Sequence, residues 1–487
     1  MMKKSGKKWL ALIIATLMLA ALFVGCRQTG KLGDTEYEDD FDETQTYTIT
    51  FHGWGSAEEQ ANYQELVNQF MVENPNIVVA YTAEASSTYM TTLSGMANNL
   101  PDVFYMPDED FLMWADSGRL LNIRSGVSQE ELAKVWPEAT DKYYYNRDTY
   151  ELGYSEDAGL YGLPKDLGPF TLVYNKTLLQ QQAQKYGVSE SDLSVISADE
   201  PMTWGEFRSL LTKLIKAEDV ANSIYGVSHY EIQAAVYSNN ADFFTEDTTT
   251  SRITETAFTD AMQFIADLYL QDKVMPSPDD QSSNDGYTRF LSGSCIFSFM
   301  GPWDCTAFWE QVNFDYDIIP VPYGPGPDRQ YDTEDDGNSV AWVGSMAYSI
   351  SAKTQAPGAA LKLVEYLCMN EDAQRLAYSL GQQVPNLIDM ANNEYVNNTQ
   401  GVLTGAQLKP ESRAVFVDTI DGYKDENDKV SGRARATYYT YDSIWYDDFM
   451  AALEPLWNGA KTAEVLMKDY NATYQASLDD MLAQYRG

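Results

Sequence analysis

The chain has 487 residues, a formal net charge of -39, 44% hydrophobic and 13% aromatic residues. That length exceeds one compact core, so two or more lobes are expected, and the composition is that of a packed globular protein rather than a disordered one. The charge repels nucleic acid and phosphate-rich partners, and no basic cluster in the folded part offers an exception, which excludes DNA or RNA binding.

Only His52 and His229 are available as imidazoles, and the four Cys are scattered. No metal site and no His/Cys catalytic cluster can be assembled from them, and no phosphate loop or Gly-x-Ser-x-Gly elbow is present, so no cofactor is expected. Cys295, Cys305 and Cys368 in the folded part are odd in number, which excludes a full disulfide framework. A Cys295–Cys305 bridge and buried free thiols both remain open.

Lys3, Lys4, Lys7 and Lys8 form a positive leader segment, and Leu10 to Val24 is an apolar run too short to span a membrane comfortably. Its end, Leu22-Phe23-Val24-Gly25-Cys26, resembles a bacterial lipobox, with Phe23 departing from the usual Leu. The resemblance implies a signal peptide over 1–25 and lipidation of Cys26, where two acyl chains suffice for stable anchoring. Residues 26–45 then read as a polar, acidic and disordered tether with a mean reach of roughly 25 Å.

Tyr47 to Phe51 alternates as a strand and runs into Trp54. Ser56 and Glu59 form a capping box for a helix with Tyr63, Leu66, Val67 and Phe70 on one face, which ends before Asn74-Pro75. Ile77 to Tyr81 is the next strand, Thr88 to Asn98 a helix, and Val103 to Met106 a third strand. Asp108 starts a short helix that stops at Gly118. This alternation predicts a mainly parallel α/β lobe. Farther on, Phe170 to Tyr174 is a strand, Thr203 and Glu206 cap a helix, and Thr254 to Leu270 is strongly helical. Cys295 to Met300 reads as a buried strand that breaks at Gly301-Pro302 and delivers Trp303. That Trp is either a stacking platform or a plug for its own core. Phe314 to Val321 and Trp342 to Ser349 are strands, Pro357 to Cys368 is a helix, and the tail from Tyr441 to Tyr485 is mostly helical.

In joint order these pieces resemble the extracellular solute-binding lipoproteins of bacterial ABC sugar importers, related to maltodextrin-binding proteins. They include Glu65-Leu66…Phe70 ending Glu73-Asn74-Pro75, then Pro101-Asp102-Val103, Tyr161-Gly162-Leu163-Pro164 and Val173-Tyr174-Asn175-Lys176. Pro201-Met202-Thr203-Trp204 follows, then Phe290-Leu291-Ser292-Gly293 through Gly301-Pro302-Trp303, and Trp342-Val343-Gly344-Ser345.

The resemblance implies an α/β, two-lobed, type II periplasmic-binding-protein-like fold whose hinge is crossed three times. Lobe one would combine 46–164 and 322–386, lobe two 165–321 and 387–487, with the ligand between them. It implies a receptor that is not an enzyme. Its carbohydrate ligand would pass to ABC transporter permease subunits at the outer face of the cell membrane, and the protein would act as a monomer. A secreted glycoside hydrolase is the alternative. Sugar recognition needs flat aromatic faces and planar groups that bind adjacent hydroxyls. The resemblance places Trp303 where the family presents a stacking aromatic; Trp54 at a strand end and Trp342 at a strand start near the hinge serve either the cleft or the core. Asp108, also a candidate N-cap, and Asp166 at the first hinge suit sugar hydroxyls, and Gly344 and Ser345 offer backbone and hydroxyl groups. Gln383 and Asn386 lie near the third crossing.

Overall fold

The computed structural model describes residues 34–96, 99–245, 247–333, 336–424, 430–431, 435–436 and 444–486. The leader and Cys26 lie outside the described residues.

Two sheets organise the molecule. The first orders its strands Ile77–Glu84, Tyr47–Trp54, Val103–Pro107, Met346–Ile350 and Leu163–Pro164. The first three run parallel, as the strand–helix alternation requires, and Met346–Ile350 pairs antiparallel to both of its neighbours. Ser56 accepts from the Glu59 amide and Glu59 returns to the Ser56 amide, so the capping box starts the helix Ala57–Glu73. That helix buries Tyr63, Leu66, Val67 and Phe70, the four residues its periodicity selects.

The second sheet orders Tyr225–Val227, Cys295–Met300, Thr171–Asn175 and Tyr316–Ile319. Cys295–Met300 is buried at all six positions, consistent with a central strand covered on both faces. The Thr203–Glu206 capping box opens Trp204–Leu214, and Thr256–Leu270 packs beside it through Trp204 stacked on Phe264 at 4.2 Å.

A small third sheet joins Gly168–Pro169, Trp342–Gly344 and Arg435–Ala436. It explains one departure from the sequence-based expectation. The continuous strand expected over Trp342 to Ser349 is broken at Ser345: Trp342–Gly344 pairs with Gly168–Pro169, and Met346–Ile350 enters the first sheet. The second helix also begins earlier than expected, as Ser86–Gly95.

A larger correction concerns the tether. From Asp34 onward the segment lies on the protein instead of hanging free. Thr35 and Tyr37 exchange backbone hydrogen bonds with Asn122, and Asp40 accepts from the Gly358 amide at 2.9 Å. The expectation failed because it weighed only the acids and ignored Tyr37 and Phe41, both half-buried against the core.

Cys295, Cys305 and Cys368 are buried free thiols. His52 hydrogen-bonds Thr82 and Glu84, and His229 hydrogen-bonds Ser228 and Glu231. Among the described residues no group of three or more His, Cys, Asp or Glu could hold a metal ion. Among them, too, no helix is long and apolar enough to cross a membrane.

Candidate ligand-binding site

Between the two main sheets lies a cleft of about 540 Å³. It brings together Trp54, Asp108, Asp166, Trp303, Trp342, Gly344 and Ser345, seven of the nine residues carried over from the sequence. A larger open recess of about 940 Å³ lies elsewhere, beside Asp34, Asn122 and Arg147. The smaller cleft has the chemistry: three indoles and several carboxylates converge on it from strand ends, the usual ligand position in open α/β sheets.

Trp54 closes the strand Tyr47–Trp54, and its edge contacts Tyr89 and Tyr105 at ring distances of 4.6 and 5.7 Å. Trp342 stacks on Phe170 at 4.5 Å, and Trp303 meets the same Phe170 edge-on at 5.2 Å. Trp303 itself is half-buried, neither a plug sealed in its core nor a free surface ring. Its seat is glycine backbone. A Cβ on Gly168 would stand 2.0 Å from the Trp303 ring, and one on Gly344 would stand 2.7 Å from Trp342 and 3.3 Å from Trp303. The carried-over role of Gly344 therefore has a steric component, and Gly168, which the sequence did not single out, has the larger one. The Trp342 indole N–H is buried without an acceptor among the described residues.

Beneath the rings, each aspartate meets a buried lysine. Asp108 opens the helix Asp108–Asp116 and lies 3.4 Å from Lys142 Nζ, which also donates to the Val343 carbonyl at 3.1 Å. Burial depresses the Lys142 pKa, and Asp108 opposes that shift. Lys165 donates to Asp166 at 2.6 Å and sits over the Tyr63 and Tyr105 rings at 5.1 and 5.5 Å. Burial works against the charge of Lys165, but Asp166 and the Tyr348 hydroxyl outweigh it, and its pKa is raised. Ser345 Oγ donates to the Asp166 carbonyl and pairs with Tyr143, both at 2.8 Å, which fixes the break between the two strands. Both carboxylates are thus held in place before any ligand arrives, which limits the ordering cost of binding.

Gln383 and Asn386 are not brought to the cleft. Asn386 is fully buried and donates to the carbonyls of Pro164 and Lys165 at 3.0 and 3.2 Å. Gln383 bonds Tyr63 and Gln374. Asn386 thus braces the backbone at Pro164 and Lys165, and Gln383 holds Tyr63. Glu59 serves both as capping-box partner and as part of the lining, and Glu109 and Lys165 line the cleft without having been singled out. Glu109 is open to the cleft, yet the surrounding protein together with Asp108, Asp110 and Asp447 pushes its carboxyl up to about 7.

Asp304, next to Trp303, is shifted in the same direction: burial first, then Glu59, push it up to about 7, against a hydrogen bond from the Gly301 amide. Because its folded pKa lies above the unfolded one, the native state holds a proton that the unfolded chain has lost. Stability therefore falls as pH rises from about 4 through 7 and is flat above that. Asp304→Asn is expected to raise the melting temperature at pH 8, by on the order of 1–3 kcal/mol in stability, and to leave it nearly unchanged at pH 4. Thermal melts at the two pH values measure this.

The model describing bacterial extracellular solute-binding proteins matches residues 54–374. The chain belongs to this family. This solute-binding protein is 22% identical over 351 residues to a galactooligosaccharide-binding protein of Bacillus subtilis (strain 168), covering 71% of this chain and 75% of that one. It is 20% identical over 341 residues to a maltotriose-binding protein of Pyrococcus abyssi, covering 69% and 66%. Its fold is similar to that of an ABC substrate-binding protein from Listeria monocytogenes in complex with cycloalternan. The TM-score is 0.70 at 20% identity, over 90% of this chain and 100% of that one. Maltose-bound MalE3 of T. maritima is similar at TM-score 0.64 and 18% identity, over 90% and 100%. These are two-lobed type II binding-protein structures, and this solute-binding protein shares their architecture.

Proposed function

We propose that this solute-binding protein captures a neutral carbohydrate, an oligosaccharide long enough to touch more than one indole, and delivers it to the permease subunits of an ABC importer. The observation that carries this reading is the convergence of Trp54, Trp303 and Trp342 with Asp108 and Asp166 on one cleft. Indole faces suit the apolar faces of pyranose rings, and carboxylates suit pairs of vicinal hydroxyls. The relatives named for galactooligosaccharide and maltotriose binding support the same class of ligand. In this reading lobe one comprises 46–164 and 322–386 and lobe two 165–321 and 387–487. They close about three crossings, near Leu163–Asp166, Ile319–Pro322 and Pro385–Asp389. The protein works as a monomer, anchored at the outer face of the cell membrane by lipid on Cys26. The glycoside hydrolase alternative draws no support from Asp108 or Asp166. Each is engaged by a buried lysine.

A thermal-shift panel of mono- and oligosaccharides, including maltotriose and a galactooligosaccharide, tests the reading. A ligand at a hundredfold its Kd is expected to stabilise the fold by about 2.7 kcal/mol. No shift from any sugar overturns the carbohydrate assignment, and hydrolysis of a labelled oligosaccharide on overnight incubation overturns the receptor assignment.

A further inference from the structure

The segment that precedes the first strand is built into lobe one. Glu36 forms a parallel bridge with Asn122, whose side chain donates to the Glu36 carboxylate at 2.9 Å. Tyr161 donates to Asp34 at 2.9 Å, and Arg147 stands 3.6 Å from the same carboxylate. Tyr37 lies flat over Gly126, where a Cβ would come within 2.6 Å of its ring. Phe41 stacks on Tyr47 at 5.1 Å, beneath the Lys362 ammonium at 4.6 Å. Asp40 accepts from Gly358 at the start of the helix Pro357–Met369. Two half-buried aromatic rings, a backbone bridge and several charge-assisted bonds make this a docked strap, not a linker.

Position 26 is only eight residues before Asp34. Eight residues span at most about 28 Å when fully extended, against about 70 Å for a free tether of twenty. We infer that the strap holds one corner of lobe one, the corner built by Asn122, Arg147 and Tyr161, next to the membrane surface, and leaves lobe two as the lobe that swings. This rests on the proposed lipid anchor at Cys26. The large recess beside the strap is rimmed by Asp148, Glu156 and Asp157. That acidic corner gains nothing from anionic headgroups, so the covalent anchor and the strap set its distance without electrostatic adhesion.

The test uses the full-length lipoprotein in phosphatidylcholine–phosphatidylglycerol vesicles carrying a headgroup acceptor dye. A donor is placed on Glu156→Cys at the strap corner, or on Lys468→Cys in lobe two; the three native thiols are buried and stay unlabelled. Energy transfer is expected to be severalfold stronger from position 156. The triple variant Asp34→Ala, Tyr37→Ala, Phe41→Ala is expected to bring the two positions close together while still floating with the vesicles. Equal transfer from the two positions in the unmodified strap overturns the inference. If the protein does not float, or Cys26→Ser floats as well as wild type, the anchor fails and the membrane part falls with it. Hydrogen exchange then judges the strap alone. The Tyr37 amide is expected to exchange on the order of a hundredfold more slowly than a free chain, and free-chain exchange overturns docking.

Discussion

Trp303→Ala is expected to reduce carbohydrate affinity by more than about 100-fold, some 3 kcal/mol, while costing the fold only about 1–2 kcal/mol. The asymmetry follows from position. The ring is half-buried, leans on Phe170, and spends its other face on the cleft. Truncation removes the stacking surface without emptying a sealed core. Gly168→Ala is expected to weaken binding in the same direction with Trp303 still present, because the added Cβ would overlap the indole and push it off its seat. Calorimetric titration gives the affinities and thermal melts give the stabilities. A Trp303→Ala protein that no longer folds would show that the ring belongs to the core of its lobe.

Lys142→Met is expected to destabilise the protein by about 3–5 kcal/mol, because it takes a buried cation from a buried carboxylate. Val343 also loses a donor to its carbonyl. The double variant Lys142→Met, Asp108→Asn is expected to recover much of the loss, since it removes the carboxylate's charge as well. Urea midpoints of the four proteins in that cycle measure the coupling. Equal losses in the single and double variants would mean that the pair contributes nothing through its charges.

The cleft's rings were legible because strands announce their own ends. Gly301-Pro302 stops Cys295–Met300 and leaves Trp303 outside it, and the Ser56–Glu59 box places Trp54 just before a helix start. Local chemistry of this kind is written within a few residues. The lysines were not legible. Lys142 reaches an aspartate 34 positions away and a carbonyl 201 positions away, separations that no periodicity encodes. The break at Ser345 was hidden for the same reason, since Trp342–Gly344 and Met346–Ile350 differ in their partners rather than in their residue types. Asn386 bonds the Lys165 backbone and Gln383 bonds Tyr63, and their place in the sequence did not say that they face away from the cleft. The strap was missed because charge density outweighed two aromatic residues that turn out to be docked.

A sugar bound in this cleft lies against its indoles. Intrinsic tryptophan emission, titrated with the oligosaccharide giving the largest thermal shift, tests this most directly. A saturable one-to-one change in emission is predicted in wild type, largely lost in Trp303→Ala. Full-strength binding in that variant, with the same change in emission, would contradict it.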